Sequence, residues 1–299
     1  MTIAKRIALF LVLNFVIVIT LSAVVSLAGI GPYLEQNGIN YRALMIFSLV
    51  WGMGGAFISL ALSRITAKWF MGVRIIDPAT TDHYEQKLLN TVYNLCRRAD
   101  LEVMPEVGIY ASDELNAFAT GPTRSRSLVA VSSGLLEHMN DAEVEGVLGH
   151  EIAHIANGDM VTMTLLQGVV NAFVIFLSRV IAYVVAQALR DDKERGFSSG
   201  IYFLVSFILQ IVFMILGSMV VAWFSRYREY RADQGGAQFA GRQNMISALQ
   251  VLQRTYESVD GAQQASVSNL KISGKGHGIF RLFQSHPPLL ERIERLRLP

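Results

Sequence analysis

The sequence predicts a mainly α integral membrane protein, with four transmembrane helices and a smaller soluble α+β part that carries a short edge sheet. Three observations predict it. With 52% hydrophobic residues and a mean hydropathy of +0.37 over 299 residues, the chain is more apolar than ordinary soluble domains. Its apolar residues gather into runs long enough to cross a bilayer, and the 17% that are charged fall mostly between them. The intervening stretches alternate helical and strand patterns. A net charge of +2 is too small to imply nucleic acid, and no nucleic-acid-binding signature is present. The single cysteine, Cys96, supplies neither an internal disulfide nor a thiolate metal site.

Lys5 and Arg6 precede the first apolar run, Ile7 to about Ile30. Ser26-Leu27-Ala28 is a small-x-small triplet, so a cleaved signal peptide is the alternative, although the run exceeds the usual apolar core of about 7–15 residues. The second run, about Ala43 to Leu62, is followed by Arg64, Lys68 and Arg74, whereas the link before it carries only Glu35 and Arg42. Positive charge therefore marks the N-terminus and the chain after Leu62 as cytoplasmic. The third and fourth runs, about Val161 to Leu189 and Ile201 to Phe224, are joined by Arg190–Arg195, whose charges cancel and give no orientation. In the third run Arg179 either snorkels to the interface or pairs within the bundle. Gln167, Asn171 and Gln210 either bond between helices or sit as satisfied amides. Four crossings divide the chain into a hairpin (1–62), a soluble part (63–159), a second hairpin (160–224) and a second soluble part (225–299). Both soluble parts and both termini then share one compartment.

Within the first soluble part, Leu88, Leu89, Val92 and Leu95 recur as the stripe of a helix over Asp82–Arg98, capped by Asp82. Val107–Tyr110 and Ser127–Val131 read as strands, with Asn116–Gly121 between them, and the second runs into another helix. Asn140 caps that helix with Glu143 three residues on, Val144, Leu148 and Ile152 form its buried stripe, and Gly158 offers a stop or a bend. Near the C-terminus, Pro288–Arg297 reads as an amphipathic helix packing through Leu289, Ile293 and Leu296, with no chemistry assigned.

The Asn140-capped helix carries His150-Glu151-Ile152-Ala153-His154, the H-E-x-x-H pattern of zinc peptidases. At about 100° and 1.5 Å per residue, His150 and His154 lie about 40° and 6 Å apart on the helix, so both can hold one metal ion. Glu151 projects beside them, where a general base for a metal-activated water belongs. An extended peptide can pair with an edge strand preceding such a helix; Asn116 is either a turn former or part of that substrate edge.

A third ligand is needed, and Glu229 is the candidate, on a helix continuing from the fourth apolar run. Two histidines and a glutamate leave a fourth position open, the catalytic pattern. Asp233, one turn further, can orient a ligand histidine through its free N–H. The competing reading is a solvated helix face on which Glu229 pairs with Arg226 or Arg231.

Asn116–Gly121, the motif followed by Asn157-Gly158-Asp159, the segment Ser225-Arg226 to Glu229 and Ala232-Asp233, and the late Ser285-His286-Pro287-Pro288 together resemble the HtpX heat-shock membrane metalloproteases. The likeness runs over nearly the whole chain. It implies a cytoplasmic zincin-like (gluzincin) domain, one Zn2+ per chain held by His150, His154 and Glu229, and Glu151 as catalytic base. It also implies a bacterial inner-membrane endopeptidase that clears damaged or misfolded membrane proteins during stress. The prenyl-protein CAAX protease group is a wider relative with more membrane spans. His286, in a proline-stiffened turn, is the candidate second donor to the oxyanion, against the commoner structural or surface histidine; His83, His138 and His277 read as surface residues.

Gly274–Gly278 lacks the spacing of a phosphate loop. Energy-dependent unfolding would have to come from a partner, an ATP-dependent membrane protease acting alongside. The other partners are polypeptide substrates, chiefly membrane proteins, and the lipid bilayer. A membrane zinc carrier would place histidines and carboxylates inside its spans, and the four runs contain none. A silent peptide-binding module would have lost the base, and Glu151 is present. His154 and Glu229 lie within a few residues of the third and fourth runs, on the order of 10 Å along either helix, so cleavage is expected close to the membrane surface.

Overall fold

The computed structural model describes residues 40–189, 195–267 and 282–298. The first expected span and the Gly274–Gly278 stretch with His277 lie outside the described residues. Helix α1 (Tyr41–Phe70) leads to β1 (Arg74–Ile75), α2 (His83–Arg98), β2 (Glu106–Tyr110), β3 (Ala117–Thr123) and β4 (Arg126–Ser132). The helices α3 (Ser133–His138), α4 (Asp141–Asn157), α5 (Asp159–Ala188), α6 (Arg195–Ala240), α7 (Arg242–Val267) and α8 (Leu289–Arg297) follow. Among the described residues, three helices are long and apolar enough to cross a membrane: Tyr41–Phe70, Asp159–Ala188 and Gly200–Ala240.

The chain divides into two units, one made of residues up to Ser59 with Met163–Val221, the other of Leu60–Thr162 with Ala222 onwards. In the first, α1 and α5 meet through small residues: a Cβ on Gly52 would lie 2.5 Å from the Ala172 nitrogen. Met45, Phe176 and Val180 form a buried cluster there. Arg179 lies 5.3 Å from the Phe47 ring centroid, a cation–π contact with the neighbouring helix. Gln167 donates to Asn171 at 2.9 Å along the same helix, so this pair is satisfied without bridging helices. The most apolar window of α6 contains no buried residue, as a lipid-facing helix requires.

In the second unit four strands form a sheet in the order β1-β2-β4-β3, with β2 and β4 parallel and both outer pairs antiparallel. Alternation along β4 sends Leu128 and Ala130 to one face, against Val73 and Tyr110. Val129 and Val131 go to the other, against Leu88, Val92 and Leu95 of α2 and Leu148, Ile152 and Ile155 of α4. Asp82 caps α2 by accepting from the Tyr84 and Glu85 amides.

Two expectations need correction here. The Asn116–Gly121 stretch is not a plain connection, because Ala117–Thr123 is itself the edge strand β3. Gly121 and Pro122 hide it in the sequence: Gly121, at φ 142°, sits where the register shifts between Thr120 and Thr123, and proline is tolerated in a sheet at an edge or bulge. Nor does β4 run straight into the motif helix. Ser132 ends the strand by capping the short helix α3, its hydroxyl accepting from the Leu135 amide at 3.1 Å. Helix α4 then starts on a complete capping box between Asn140 and Glu143 and ends at Gly158, whose left-handed φ of 72° turns the chain directly into α5.

The basic residues after the second apolar run are tied down. Arg64 and Lys68 both pair with Glu106, Lys68 at 2.8 Å, and Arg74 pairs with Glu85 at 2.6 Å. Such pairing does not cancel their weight in orientation, because acidic residues contribute little to it.

Candidate metal centre

Helix α4 presents His150, Glu151 and His154, and α6 carries Glu229 and Asp233 against it. The approach depends on small residues. A Cβ on Gly146 would lie 2.5 Å from the Asn244 carbonyl oxygen, one on Gly149 2.8 Å from the Ala240 Cβ, and one on Gly236 3.0 Å from the His150 nitrogen. Without side chains there, α4 can lie close enough to the end of α6 and the start of α7 for a carboxylate to reach both imidazoles.

The ligand atoms converge. His150 Nε2 and His154 Nε2 are 3.1 Å apart, and Glu229 approaches them with one oxygen each at 3.4 Å. Tetrahedral zinc bonds of about 2.0–2.1 Å require neighbouring ligand atoms about 3.3 Å apart, so this donor set fits such an ion. The outward nitrogens fit as well. His150 Nδ1 lies 3.0 Å from Asp233 Oδ1, and His154 Nδ1 2.7 Å from Asp159 Oδ2. A carboxylate at Nδ1 fixes the proton there and turns the Nε2 lone pair toward the shared centre. Burial opposes a charge on His150, yet Asp233 and Glu229 lift its pKa to about 9. The pocket thus favours positive charge, which a divalent ion supplies.

Glu229 is fully buried, and its carboxylate faces His150, His154 and His286. Arg226 instead donates to the Gln284 carbonyl at 2.7 Å, and Arg231 donates to Asn157 at 3.4 Å. Glu229 also accepts from the neighbouring Arg228 at 3.2 Å, but being fully buried it does not form the solvated face, nor does it pair with Arg226 or Arg231. Holding Gln284, Arg226 steadies the turn that delivers His286, whose Nδ1 is 2.7 Å from Glu229 Oε2 while its side chain stays 63% exposed. His83 and His138 are exposed and away from the centre.

Two residues at the centre were given no role by the sequence. Asp159, buried at the first position of α5, holds His154; its signal was an aspartate directly after the glycine that ends the motif helix. Arg292 is 6% exposed, with Nε and Nη2 on the two oxygens of Asp233 at 2.8 and 2.6 Å, and Nη2 3.4 Å from His150 Nδ1. The C-terminal helix, expected to carry no chemistry, therefore braces the centre. Its signal was readable: Arg292 falls on the 289, 293, 296 stripe, a charge on a buried face.

The Asn116 backbone is turned toward β4. Its N–H donates to Ser132 Oγ at 3.1 Å and its carbonyl accepts from the Ser132 N–H at 2.9 Å, both toward β4. It lines a cavity of about 260 Å³ together with His150, Glu151, Glu229, His286 and Arg292, opposite an apolar wall of Leu135, Val147, Met245 and Leu249. Glu151 is half-buried, and its Oε2 accepts from the Ala119 N–H of β3 at 2.8 Å.

Known proteins resemble this chain. The model for Peptidase family M48 matches residues 82–299. A protein named "Protease HtpX homolog" from Bacillus velezensis is 50% identical over 299 residues, covering 98% of this chain and 99% of its own. A "Protease HtpX" from Thioalkalivibrio sulfidiphilus is 48% identical over 295 residues, covering 98% of each. The crystal structure of S. mikatae Ste24p superposes with a TM-score of 0.60 at 16% identity, over 97% of this chain and 67% of that one, a likeness of fold. Sequence and fold agree, and this chain belongs to peptidase family M48 as an HtpX-like membrane metalloprotease.

Proposed function

We propose that the chain is a zinc endopeptidase that cuts damaged or misfolded membrane proteins at the cytoplasmic face of a bacterial inner membrane, with one Zn2+ held by His150, His154 and Glu229. The observation that carries this reading is the convergence of the three ligand side chains, with each imidazole's second nitrogen already against a carboxylate. When bound, the ion supplies an acidified water and a Lewis acid for the scissile carbonyl. Glu151 takes the proton of the attacking water and hands it to the leaving amine. His286, its Nδ1–H held by Glu229, can donate from Nε2 to the developing oxyanion when both ring nitrogens carry protons, and Arg292 holds Asp233 so that His150 keeps its orientation. Asn116 acts as a cavity wall beside the substrate edge.

The cytoplasmic side is inferred from the arginines and lysines that follow the second and fourth apolar runs. The two soluble parts, 63–159 and 225–299, are read as one protease domain interrupted by the hairpin 160–224. With no nucleotide site in the sequence, extraction of substrates falls to an ATP-dependent membrane protease working alongside.

The test compares zinc content and cleavage of a membrane-anchored reporter for wild type, Glu151→Gln and His286→Ala in liposomes. Glu151→Gln should keep zinc and lose cleavage by at least about a hundredfold. His286→Ala should keep zinc and lose about tenfold to a hundredfold in turnover. Equal slow cleavage by wild type and Glu151→Gln would assign the activity to a contaminant and sink the protease reading.

A further inference from the structure

Asn116 and Ser132 exchange backbone contact across the sheet, the Asn116 carbonyl accepting from the Ser132 N–H at 2.9 Å. In an antiparallel ladder the residues that face the partner strand alternate with those that face away. Counting from that pair, Phe118 and Thr120 turn their backbone groups to β4, while Ala117 and Ala119 turn theirs outward; the ladder pairs Ala119 with Val129 and Phe118 with Ala130. Because β3 ends the sheet, the outward groups of Ala117 and Ala119 form the edge to which an extended peptide can add. One of those groups is already taken: the Ala119 N–H donates to Glu151 Oε2 at 2.8 Å. The carboxylate read as the general base and the carbonyl of an incoming chain therefore compete for a single donor.

We propose that the Ala119 amide is a latch on Glu151, released when an extended substrate pairs with β3 and takes over that amide. This rests on the reading of Glu151 as the base. It couples freeing of the base to arrival of a chain long enough to form a strand, so that water and short peptides at the site meet a carboxylate still engaged. Ala119 is thus a positioning residue that acts through its backbone, and any side chain small enough for the face of α4 would serve.

The competition is measurable without turnover. Glu151→Gln keeps an acceptor for the Ala119 N–H, whereas Glu151→Ala removes it; neither variant can hydrolyse, so both bind an intact probe. The probe is a fluorophore-labelled octapeptide of leucine and alanine, titrated against the zinc-loaded full chain in detergent. Glu151→Ala should bind it roughly fivefold to tenfold more tightly than Glu151→Gln, because the peptide no longer displaces an existing hydrogen bond. Replacing Ala119 by lactic acid, which exchanges the N–H for an ester oxygen, should abolish the difference and weaken binding in both. Equal affinities, or tighter binding by Glu151→Gln, would overturn the latch. Since the comparison involves no cleavage, that result leaves the protease reading standing, whereas a wild type without zinc-dependent cleavage sinks the protease reading alone.

Discussion

Arg292 shows how much a single buried charge commits its surroundings. A guanidinium left 6% exposed requires a counter-charge, and Asp233, itself 2% exposed, meets it with two bonds while also facing His150 Nδ1. Removal of one partner leaves the other as an uncompensated charge in a dry site, a loss of about 3–5 kcal/mol. Arg292→Met preserves much of the volume and none of the charge. It should lower stability by that order and weaken zinc affinity by about tenfold to a hundredfold through the freed His150 ring. Denaturant unfolding together with a chelator competition checks both. Unchanged zinc affinity alongside the stability loss would confine Arg292 to a structural role. The same scale explains why His150 and His154 were read as site residues and Arg292 was passed over. A metal motif is written in local spacing, whereas a buried ion pair between residues 233 and 292 is a tertiary fact, announced only by a charge on an apolar stripe.

Between elements, the glycines of α4 decide whether the centre can assemble. Gly146 faces the Asn244 carbonyl oxygen, backbone of α7 that a side-chain rotation cannot move, at 2.5 Å from a built Cβ. Gly146→Ala gains about 1 kcal/mol of helix propensity and meets an overpacking cost of about 1–3 kcal/mol, so the net effect should be destabilising. The expected readout is a lower Tm together with easier loss of zinc to chelator, because α4 is pushed from the partners of its histidines. A raised Tm would mean that α7 yields. At this scale α2, α4 and α8 were readable, since caps at Asp82 and Asn140 and stripes of period 3.6 are local signals, whereas α7 was not anticipated. Strand β3 was less so. Its Gly121 and Pro122 speak against a strand, and what makes it one is pairing with β4, which exists only in the folded sheet. Helix α3, six residues long, is too short for a periodic signal to show.

For the molecule as a whole, the decisive feature is that α6 is one continuous helix from its apolar length through Phe224 to Glu229 and Asp233. Five residues at about 1.5 Å each put the ligand carboxylate roughly 8 Å along the helix beyond Phe224. Trp223, 63% exposed, is the kind of residue that gathers at membrane interfaces and supports the proposal that the apolar run ends there. The continuity of this helix is the basis for the proposal that the centre works close to the membrane surface. Substrate segments still inside the hydrocarbon remain helical, because their backbone groups have no other partner, so an extended chain becomes available only outside it. Cleavage should therefore fall within about ten residues of a membrane span, a reach set by about 3.3–3.6 Å per extended residue. Reporters with flexible spacers of increasing length between span and folded domain test this when their products are sequenced by mass spectrometry. The cut should stay at a fixed distance from the span as the spacer grows. A cut that travels outward with the folded domain would mean that the centre is not held at a set height, and that substrate choice comes from the domain instead of the membrane.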